Sequence, residues 1–230
     1  SLIITVNVLV YFYYELLARF INIYDFPDDK RKLHGKPVPI IGGLIVIINL
    51  ILIFFYSFVD VSITNNILFL NQNSYYSFFL FSLIFYLIGL FDDKFNISAN
   101  SKFTIIACLL VFALWFDQDL RITFLNFSFI DKTIYLNNFS IVFTLFSFLL
   151  FINALNMIDG INLLCGSYIF LLFLIIIFKL PIILILLLII AIIPYLILNA
   201  KDRIFLGDGG SILLSYLISY LIIKSYNLEN

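Results

Sequence analysis

Charged residues are scarce in this sequence, where they make up 12% of 230 residues against 63% that are hydrophobic. Soluble globular domains carry about 25% charged residues, so this chain has too few to cover a surface that faces water. The mean hydropathy of +1.14 agrees with that balance. The composition therefore excludes a soluble fold and predicts an integral membrane protein.

Histidine and cysteine are nearly absent as well. The chain has one histidine, His34, and two cysteines, Cys108 and Cys165, which lie in or beside apolar runs. So few of these residues argue against a disulfide framework or a metal site built from them. The 13 Lys+Arg and 14 Asp+Glu nearly cancel, so we expect no nucleic-acid partner.

Long apolar runs are what the sequence has in abundance. A bilayer core about 30 Å thick is crossed by about 20 apolar residues in a helix. On that measure we predict an all-α polytopic membrane protein with about eight transmembrane helices. The predicted spans are 2–23, 42–59, 75–91, 103–116, 140–157, 163–179, 181–198 and 211–224. The fourth and eighth are short, and Pro194 is expected to kink the seventh.

The connections between these spans differ in charge. Four of them, 24–41, 92–102, 158–162 and 199–210, fall on the same side of the membrane. Nine of the 13 Lys+Arg lie on that side when Arg19 at a helix end is included. The positive-inside rule places this side in the cytoplasm.

The longest connection on the opposite side is 117–139. Its aromatic and β-branched residues partly alternate with polar ones, which predicts a short β-hairpin. We see no internal repeat or linker, so residues 1–230 are interpreted as a single transmembrane catalytic domain. Because the chain begins at Ser1 inside an apolar run, we expect a fragment that lacks one or both termini.

The first cytoplasmic connection ends in a stretch rich in cations and proline. Its basic residues are expected to hold phosphates, and they are Lys30, Arg31, Lys32 and Lys36. Gly42 and Gly43 let the backbone come close to a ligand or a neighbouring helix. Taken alone, the loop is explained equally well by an ordinary basic cluster that touches anionic lipid.

Two adjacent carboxylates, Asp92 and Asp93, stand at the end of the third span, with Lys102 further along. Such acids are costly to desolvate unless something pairs with them. One could approach a hydrated Mg²⁺ while the other meets a lysine, since Mg²⁺ favours one or two protein carboxylates. Solvated acids at a helix end, beside Lys94, are the alternative.

In the third connection, Asn153, Asn156 and Asp159 recur every three residues. On a helix they form one polar stripe, which must face a cavity or a partner helix. Amide hydrogen bonds that join helices are the alternative.

In the fourth connection, Asp208 is surrounded by glycines 207, 209 and 210. These glycines would let backbone N–H groups face an anion at the start of the last span. Asp208 would then hold a metal against that anion. A flexible turn capped by Ser211 is the alternative.

In their order along the chain, these segments resemble the polyprenyl-phosphate N-acetylhexosamine-1-phosphate transferases, especially the branch that initiates O-antigen and teichoic acid. The matching motifs are Asp25-x-Pro…Arg31-Lys32-x-His34…Pro37-x-Pro39-x-x-Gly42-Gly43, Gly89-x-x-Asp92-Asp93, Asn153-x-x-Asn156-x-x-Asp159-Gly160 and Phe205-Leu206-Gly207-Asp208-x-Gly210-Ser211. Each motif alone is common, whereas the ordered set is specific.

The resemblance implies transfer of a sugar 1-phosphate from a UDP-N-acetylhexosamine to a polyprenyl phosphate such as undecaprenyl phosphate, with release of UMP. It implies Mg²⁺ as cofactor, with Mn²⁺ as a substitute, and a place in the cytoplasmic membrane with the site facing the cytoplasm. The product would begin a cell-envelope glycan such as lipopolysaccharide O-antigen. A homodimer is compatible with the sequence.

The resemblance also implies roles for single residues. The catalytic residues would be Asp92, Asp93 and Asp208, with Asp208 and Asp92 as metal ligands, while the division of work between Asp92 and Asp93 stays open. Phe205 would stack on uracil. The other substrate-binding residues would be Lys36, Lys102, Asn156, Asp159 and Gly207.

The chain departs from the family pattern in two respects. Asn162 stands where family members often have aspartate, which removes a charge near the nucleotide-sugar. The family also has a histidine-rich loop and further spans after the fourth motif, so whether the chain acts as given stays open.

Two other functions are compatible with a polytopic chain. A membrane prenyltransferase would carry Asp-x-x-x-Asp pairs on two helices, and no such pair is present. A transporter would place acids inside its spans. Only Glu15 lies well inside one, with Arg19 as its expected partner.

Overall fold

Helices dominate the computed structural model, which describes residues 2–27, 36–59, 68–69, 71–127 and 130–228. Eight α-helices lie within these ranges, as predicted. They are α1 Leu2–Ile21, α2 Gly42–Tyr56, α3 Gln72–Phe95, α4 Ala99–Phe116, α5 Ser140–Ile158, α6 Leu164–Lys179, α7 Ile183–Asn199 and α8 Gly207–Leu228. Helices α1, α3, α4, α5 and α8 are long and apolar enough to cross a membrane, and the other three are shorter apolar helices. The all-α membrane fold is confirmed.

Helices α3, α4 and α8 are clearly longer than hydropathy predicts, and α4 and α8 each begin a full turn early. Helix α4 begins at Ala99, where Ser98 caps it by accepting the N–H of Ser101 at 3.3 Å. Helix α8 begins at Gly207, four residues before the predicted span. Apart from Ala99, both first turns are made of polar residues or glycine, which a hydropathy measure does not count as span.

Helix α8 lies at the centre of the bundle and packs against α3, α5, α2 and α6. Two of its tyrosines are fully buried among phenylalanines of α3. The ring centroids of Phe85 and Tyr216 are 4.7 Å apart, and those of Phe78 and Tyr220 are 4.9 Å apart. This aromatic core fixes α8 against α3.

Glycine allows the helices to meet closely at one end of the bundle. A Cβ added at Gly89 of α3 would overlap the carbonyl of Asp208. A Cβ added at Gly43 of α2 would lie 2.5 Å from the backbone nitrogen of Gly210. Gly43, which with Gly42 was expected to admit a ligand or a neighbouring helix, therefore admits the start of α8, and so does Gly89.

Short strands complete the fold. Strands β1 (Tyr24–Asp25) and β2 (Val38–Pro39) are antiparallel, and Ile40 bridges to Phe205 in parallel. Strands β3 (Phe124–Phe127) and β4 (Ile130–Tyr135) form the hairpin predicted in the connection 117–139.

Candidate active site

Helix ends bring the predicted polar residues to one end of the bundle. The end of α3, the start of α4, the end of α5 and the start of α8 meet there. The side chains or backbone groups in contact belong to Asp92, Asp93, Lys102, Asn156, Asp159, Gly207 and Asp208. Residues from three distant stretches of chain therefore share one site.

The ammonium group of Lys102 lies between two carboxylates. Its Nζ atom is 2.6 Å from Asp92 Oδ2 and 2.6 Å from Asp208 Oδ2. Asp92 is 6% exposed, and its other oxygen accepts the N–H of Ile97 at 2.7 Å. Lys102 thus bridges α3 and α8 from the first turn of α4.

Asp93 has a different environment from its neighbour Asp92. Its two oxygens accept the backbone N–H groups of Asp208 at 2.9 Å and Gly209 at 3.0 Å. The first N–H groups of a helix have no partner within the helix and attract negative charge. The N–H groups that we predicted for an external anion are therefore taken by Asp93, which caps α8.

Asn156 joins the same network from α5. With its amide turned to match its neighbours, the nitrogen donates to Ser211 Oγ at 2.6 Å and to Asp208 Oδ1 at 2.9 Å. Its oxygen then accepts from Lys102 Nζ at 3.3 Å. The side chain of Asp208 is thereby held on both oxygens, by Lys102 and by Asn156.

Asp159 directly follows α5 and is partly buried. Burial, followed by the negative charges of Asp208 and Asp93, raises the pKa of Asp159 to about 8, although the N–H of Gly207 hydrogen bonds to it. A carboxyl group beside other carboxylates in a poorly solvated place holds its proton more tightly. Among the described residues, the site therefore has more acidic groups than cations to balance them.

This charge imbalance suits a hard divalent cation. Four carboxylates share the site with one contacting ammonium group, that of Lys102, and carboxylate and amide oxygens are the donors that Mg²⁺ takes. In the described part of the chain, no three His, Cys, Asp or Glu side chains are arranged as a complete metal site. Mg²⁺ commonly needs only one or two carboxylates, with water and phosphate as its other ligands. The residues fit that ion.

Gly207 occupies a position that other residues would strain. Its φ of +75° lies in the left-handed region, which glycine adopts readily. A Cβ there would overlap Ile40 Cγ2 and lie 2.7 Å from Asp93 Oδ2. Glycine at 207 therefore lets Asp93 reach the start of α8.

For two further predicted residues the structure gives other contacts. Lys36 is exposed and lines a groove of about 650 Å³ near the end of α1, which none of the four carboxylates lines. Phe205 is half-buried, and its backbone carbonyl accepts the N–H of Gly42 at 2.9 Å. The remaining predicted basic residues lie outside the described residues, and they are Lys30, Arg31, Lys32 and His34.

Several contacts were not predicted. Ser211, which we considered only as a helix cap, bonds to Asn156, and its place in the fourth motif was the available signal. Asn162, where the family often has aspartate, donates to Asp202. Glu15, for which we expected Arg19 as partner, accepts from the Tyr14 hydroxyl at 3.2 Å.

Comparisons with known proteins agree with the resemblance seen in the sequence motifs. The sequence model of a family described as Glycosyl transferase family 4 matches residues 75–226. An undecaprenyl-phosphate alpha-N-acetylglucosaminyl 1-phosphate transferase of Thermotoga maritima is 29% identical over 216 residues, which are 92% of this chain and 61% of that protein. The protein of the same name from Escherichia coli K12 is 28% identical over 226 residues, 93% of this chain and 58% of that protein. The chain thus spans about three fifths of the length of these relatives.

Proposed function

The chain belongs to glycosyl transferase family 4, and from this premise we propose that it transfers N-acetylhexosamine 1-phosphate from a UDP-sugar to a polyprenyl phosphate. The relatives are named for transfer of N-acetylglucosamine 1-phosphate to undecaprenyl phosphate, so we take these as donor sugar and acceptor. The product would begin a cell-envelope glycan such as O-antigen. A membrane fold suits an acceptor whose tail dissolves only in lipid.

One observation carries this proposal, namely the contact of Lys102 with both Asp92 and Asp208. Phosphoryl transfer needs little covalent chemistry from a protein and depends on positioning and charge neutralisation. The lysine can contact a phosphate, and the carboxylates beside it can act as ligands for a cation. The carboxylates lie at helix ends, which does not favour an ion path through the spans.

The reaction is a displacement at phosphorus. An oxygen of the polyprenyl phosphate forms a bond to the β-phosphorus of the UDP-sugar. The bond from that phosphorus to the oxygen bridging the two phosphates breaks, and UMP leaves with the electron pair. The products are UMP and a polyprenyl diphospho-sugar, so every phosphate is accounted for.

Asp208 and Asp92 would hold Mg²⁺, and Mn²⁺ would substitute for it. When bound, the ion would neutralise charge on the diphosphate and on the leaving oxygen. The Lys102 ammonium group now lies between these two carboxylates, at 2.6 Å from each. Its flexible side chain would release them and turn to a substrate phosphate.

The neighbouring residues would position this set. Asp93 fixes the first turn of α8 and so the backbone of Asp208, and we assign it a positioning role. Asn156 orients the Asp208 side chain. Asp159 would contact the nucleotide-sugar from the end of α5. Lys36 and Phe205, which lie further out, would meet a phosphate and the uracil ring.

We place the protein in the cytoplasmic membrane with this end of the bundle facing the cytoplasm, where UDP-sugars are made. The support is the positive-inside asymmetry of the connections. The site residues lie at the same end as segments 36–43 and 199–210, which carry Lys36, Lys201 and Arg203. A homodimer is compatible with this arrangement.

The test is a transfer assay on the purified chain with Mg²⁺, undecaprenyl phosphate and radiolabelled UDP-N-acetylglucosamine. We expect label in butanol-extractable lipid and UMP in equal amounts. UDP-glucose serves as the matched donor control and should give little product. The absence of lipid-linked label with every UDP-N-acetylhexosamine would refute the proposal.

A further inference from the structure

A groove between α1 and α7 has no part in the proposed reaction. Its volume is about 380 Å³, and its walls are apolar. On α1 they consist of Ile4, Val8 and Phe12, and on α7 of Ile190, Ile193 and Ile197. Val8 and Phe12 are exposed, so the groove opens on the outer surface of the bundle.

Proline and asparagine build the base of this groove. Pro194 has no N–H group, so the carbonyl of Ile190 lacks the donor that it would have in a regular helix. Asn7 Nδ2 of α1 donates to that carbonyl at 3.1 Å. Asn49 Nδ2 of α2 donates to Asn7 Oδ1 at 2.8 Å. These bonds fix α1 on α7, and α7 stays a single helix through Pro194.

Cations stand at the end of the groove. Lys201 Nζ donates to the hydroxyl of Tyr11, which lines the apolar groove, at 2.8 Å. One turn further along α1, Arg203 donates to the Tyr14 hydroxyl at 3.1 Å. Lys201, Arg203 and the exposed Arg19 all line the adjoining polar groove. The contact between Tyr11 and Lys201 therefore connects the apolar groove to the polar groove.

The charges in the polar groove favour an anion. Its walls carry four cations, Arg19, Lys36, Lys201 and Arg203, and two acids, Glu15 and Asp202. Asp202 already accepts from Asn162. A ligand that suits both grooves carries a negative head group on an apolar tail. Long cationic side chains at a membrane surface attract anionic lipids in this way.

We propose that an anionic glycerophospholipid of the bilayer binds here, with one acyl chain between α1 and α7 and its phosphate against Lys201 and Arg203. The polyprenyl phosphate acceptor has similar chemistry, but its phosphate must reach Asp92 and Asp208, which line neither groove. The phosphate of this lipid would therefore lie apart from Asp92 and Asp208, although Lys36, which we assign to a substrate phosphate, lines the same polar groove. Lipid binding requires no turnover.

The test is lipid titration of the purified chain by native mass spectrometry, with phosphatidylglycerol and phosphatidylcholine compared. We expect one phosphatidylglycerol molecule to bind per chain, with a higher affinity than phosphatidylcholine. The double variant Lys201→Gln/Arg203→Gln should weaken that binding about thirtyfold, since each cation near a membrane surface contributes about a factor of five. Ile193→Trp, which fills the apolar groove, should weaken it while leaving both cations in place.

The matched control is Lys94→Gln/Lys132→Gln, which removes two exposed cations that line neither groove. It should leave the affinity unchanged. The proposal would be overturned if the chain bound the two phospholipids with equal affinity. It would also be overturned if the control and the double variant lost the same amount of affinity for phosphatidylglycerol. Displacement of phosphatidylglycerol by equimolar undecaprenyl phosphate would also overturn it, since the groove would then belong to the acceptor.

Discussion

The two ends of the bundle differ in how far their acidic side chains are balanced by cations. At the end away from the candidate site, Asp117 is 1% exposed and pairs with Lys224 Nζ at 2.9 Å. The same carboxylate accepts from Ser74 Oγ at 2.9 Å and from the Tyr220 hydroxyl at 2.7 Å. One acid and one cation balance there, and three donors satisfy the acid.

At the site end, four acidic side chains share the site, and among the described residues the one ammonium group in contact with them, that of Lys102, pairs with Asp92 and Asp208. Burial and like charge raise the pKa of Asp159 to about 8. A buried pair with all its hydrogen bonds made needs nothing further and holds helices together. A group of acids with too little positive charge must either keep protons, as the raised pKa of Asp159 indicates, or bind a cation. The comparison teaches that charge balance, rather than burial, separates the functional end from the structural end.

The largest expected effect is loss of transfer in Asp208→Asn. The amide keeps the shape of the side chain but removes a charge from the proposed metal ligands, so the transfer rate should fall by about a thousandfold. The free energy of unfolding should stay the same or rise, because like-charge crowding decreases. Transfer at the unmodified rate in this variant would remove Asp208 from the mechanism.

At the other end, Lys224→Met should mainly affect stability. It leaves the Asp117 carboxylate buried without its cation, which costs about 3–5 kcal/mol in comparable cases. Equilibrium unfolding in detergent measures the loss, while transfer per folded molecule should be unchanged. Asp117→Asn/Lys224→Met, which removes both charges, should recover much of the stability. A loss of transfer with unchanged stability would show that this end is not merely structural.

Asp93→Asn separates positioning from direct chemistry within the site. The amide offers one acceptor oxygen for the two N–H groups of α8, so Asp208 should become less well placed. We expect the apparent Mg²⁺ affinity in the transfer assay to fall about 10–100-fold, as for residues that support metal ligands. Saturating Mg²⁺ should restore most of the rate. A rate as low as that of Asp208→Asn at saturating Mg²⁺ would place Asp93 among the reacting groups.

The smallest effect is expected from Gly207→Ala. A Cβ at φ +75° costs about 1–2 kcal/mol and also meets Ile40 and the Asp93 carboxylate. Gly160→Ala is the matched control, since nothing lies within 4 Å of a Cβ at that position. Unfolding curves of the two variants give the comparison. Equal stability would mean that the turn before α8 adapts freely.

Much of the fold follows from hydropathy, because a bilayer imposes one length and one chemistry on every span. The eight helices were predicted for that reason, whereas the hairpin was predicted from the partial alternation of residues in the connection 117–139. The first turns of α4 and α8 were missed, because Ser98 and Asp93 stabilise them through hydrogen bonds that a hydropathy measure ignores. The α1–α7 contact depends on the distant pair Asn7 and Ile190 and has no local signal.

The gathering of the polar motifs was predictable from span parity, which puts alternate connections on one side of the membrane. The division of work between Asp92 and Asp93 was not, since neighbours on a helix point about 100° apart and the sequence does not say what each one faces. The surroundings of Lys36 could not be predicted from the sequence either. It shares a motif with Gly42 and Gly43, yet Gly42 packs on Tyr195 and Leu206, Gly43 packs on the start of α8, and Lys36 lines an outer groove.

The most direct measurement is the thermal unfolding midpoint of the purified chain with and without Mg²⁺, in the native sequence, in Asp208→Asn and in Lys224→Met. An ion that binds only the folded chain raises that midpoint. We predict a rise in the native sequence and in Lys224→Met, and none in Asp208→Asn. An equal rise in Asp208→Asn, or no rise in the native sequence, would contradict a Mg²⁺ site among these carboxylates.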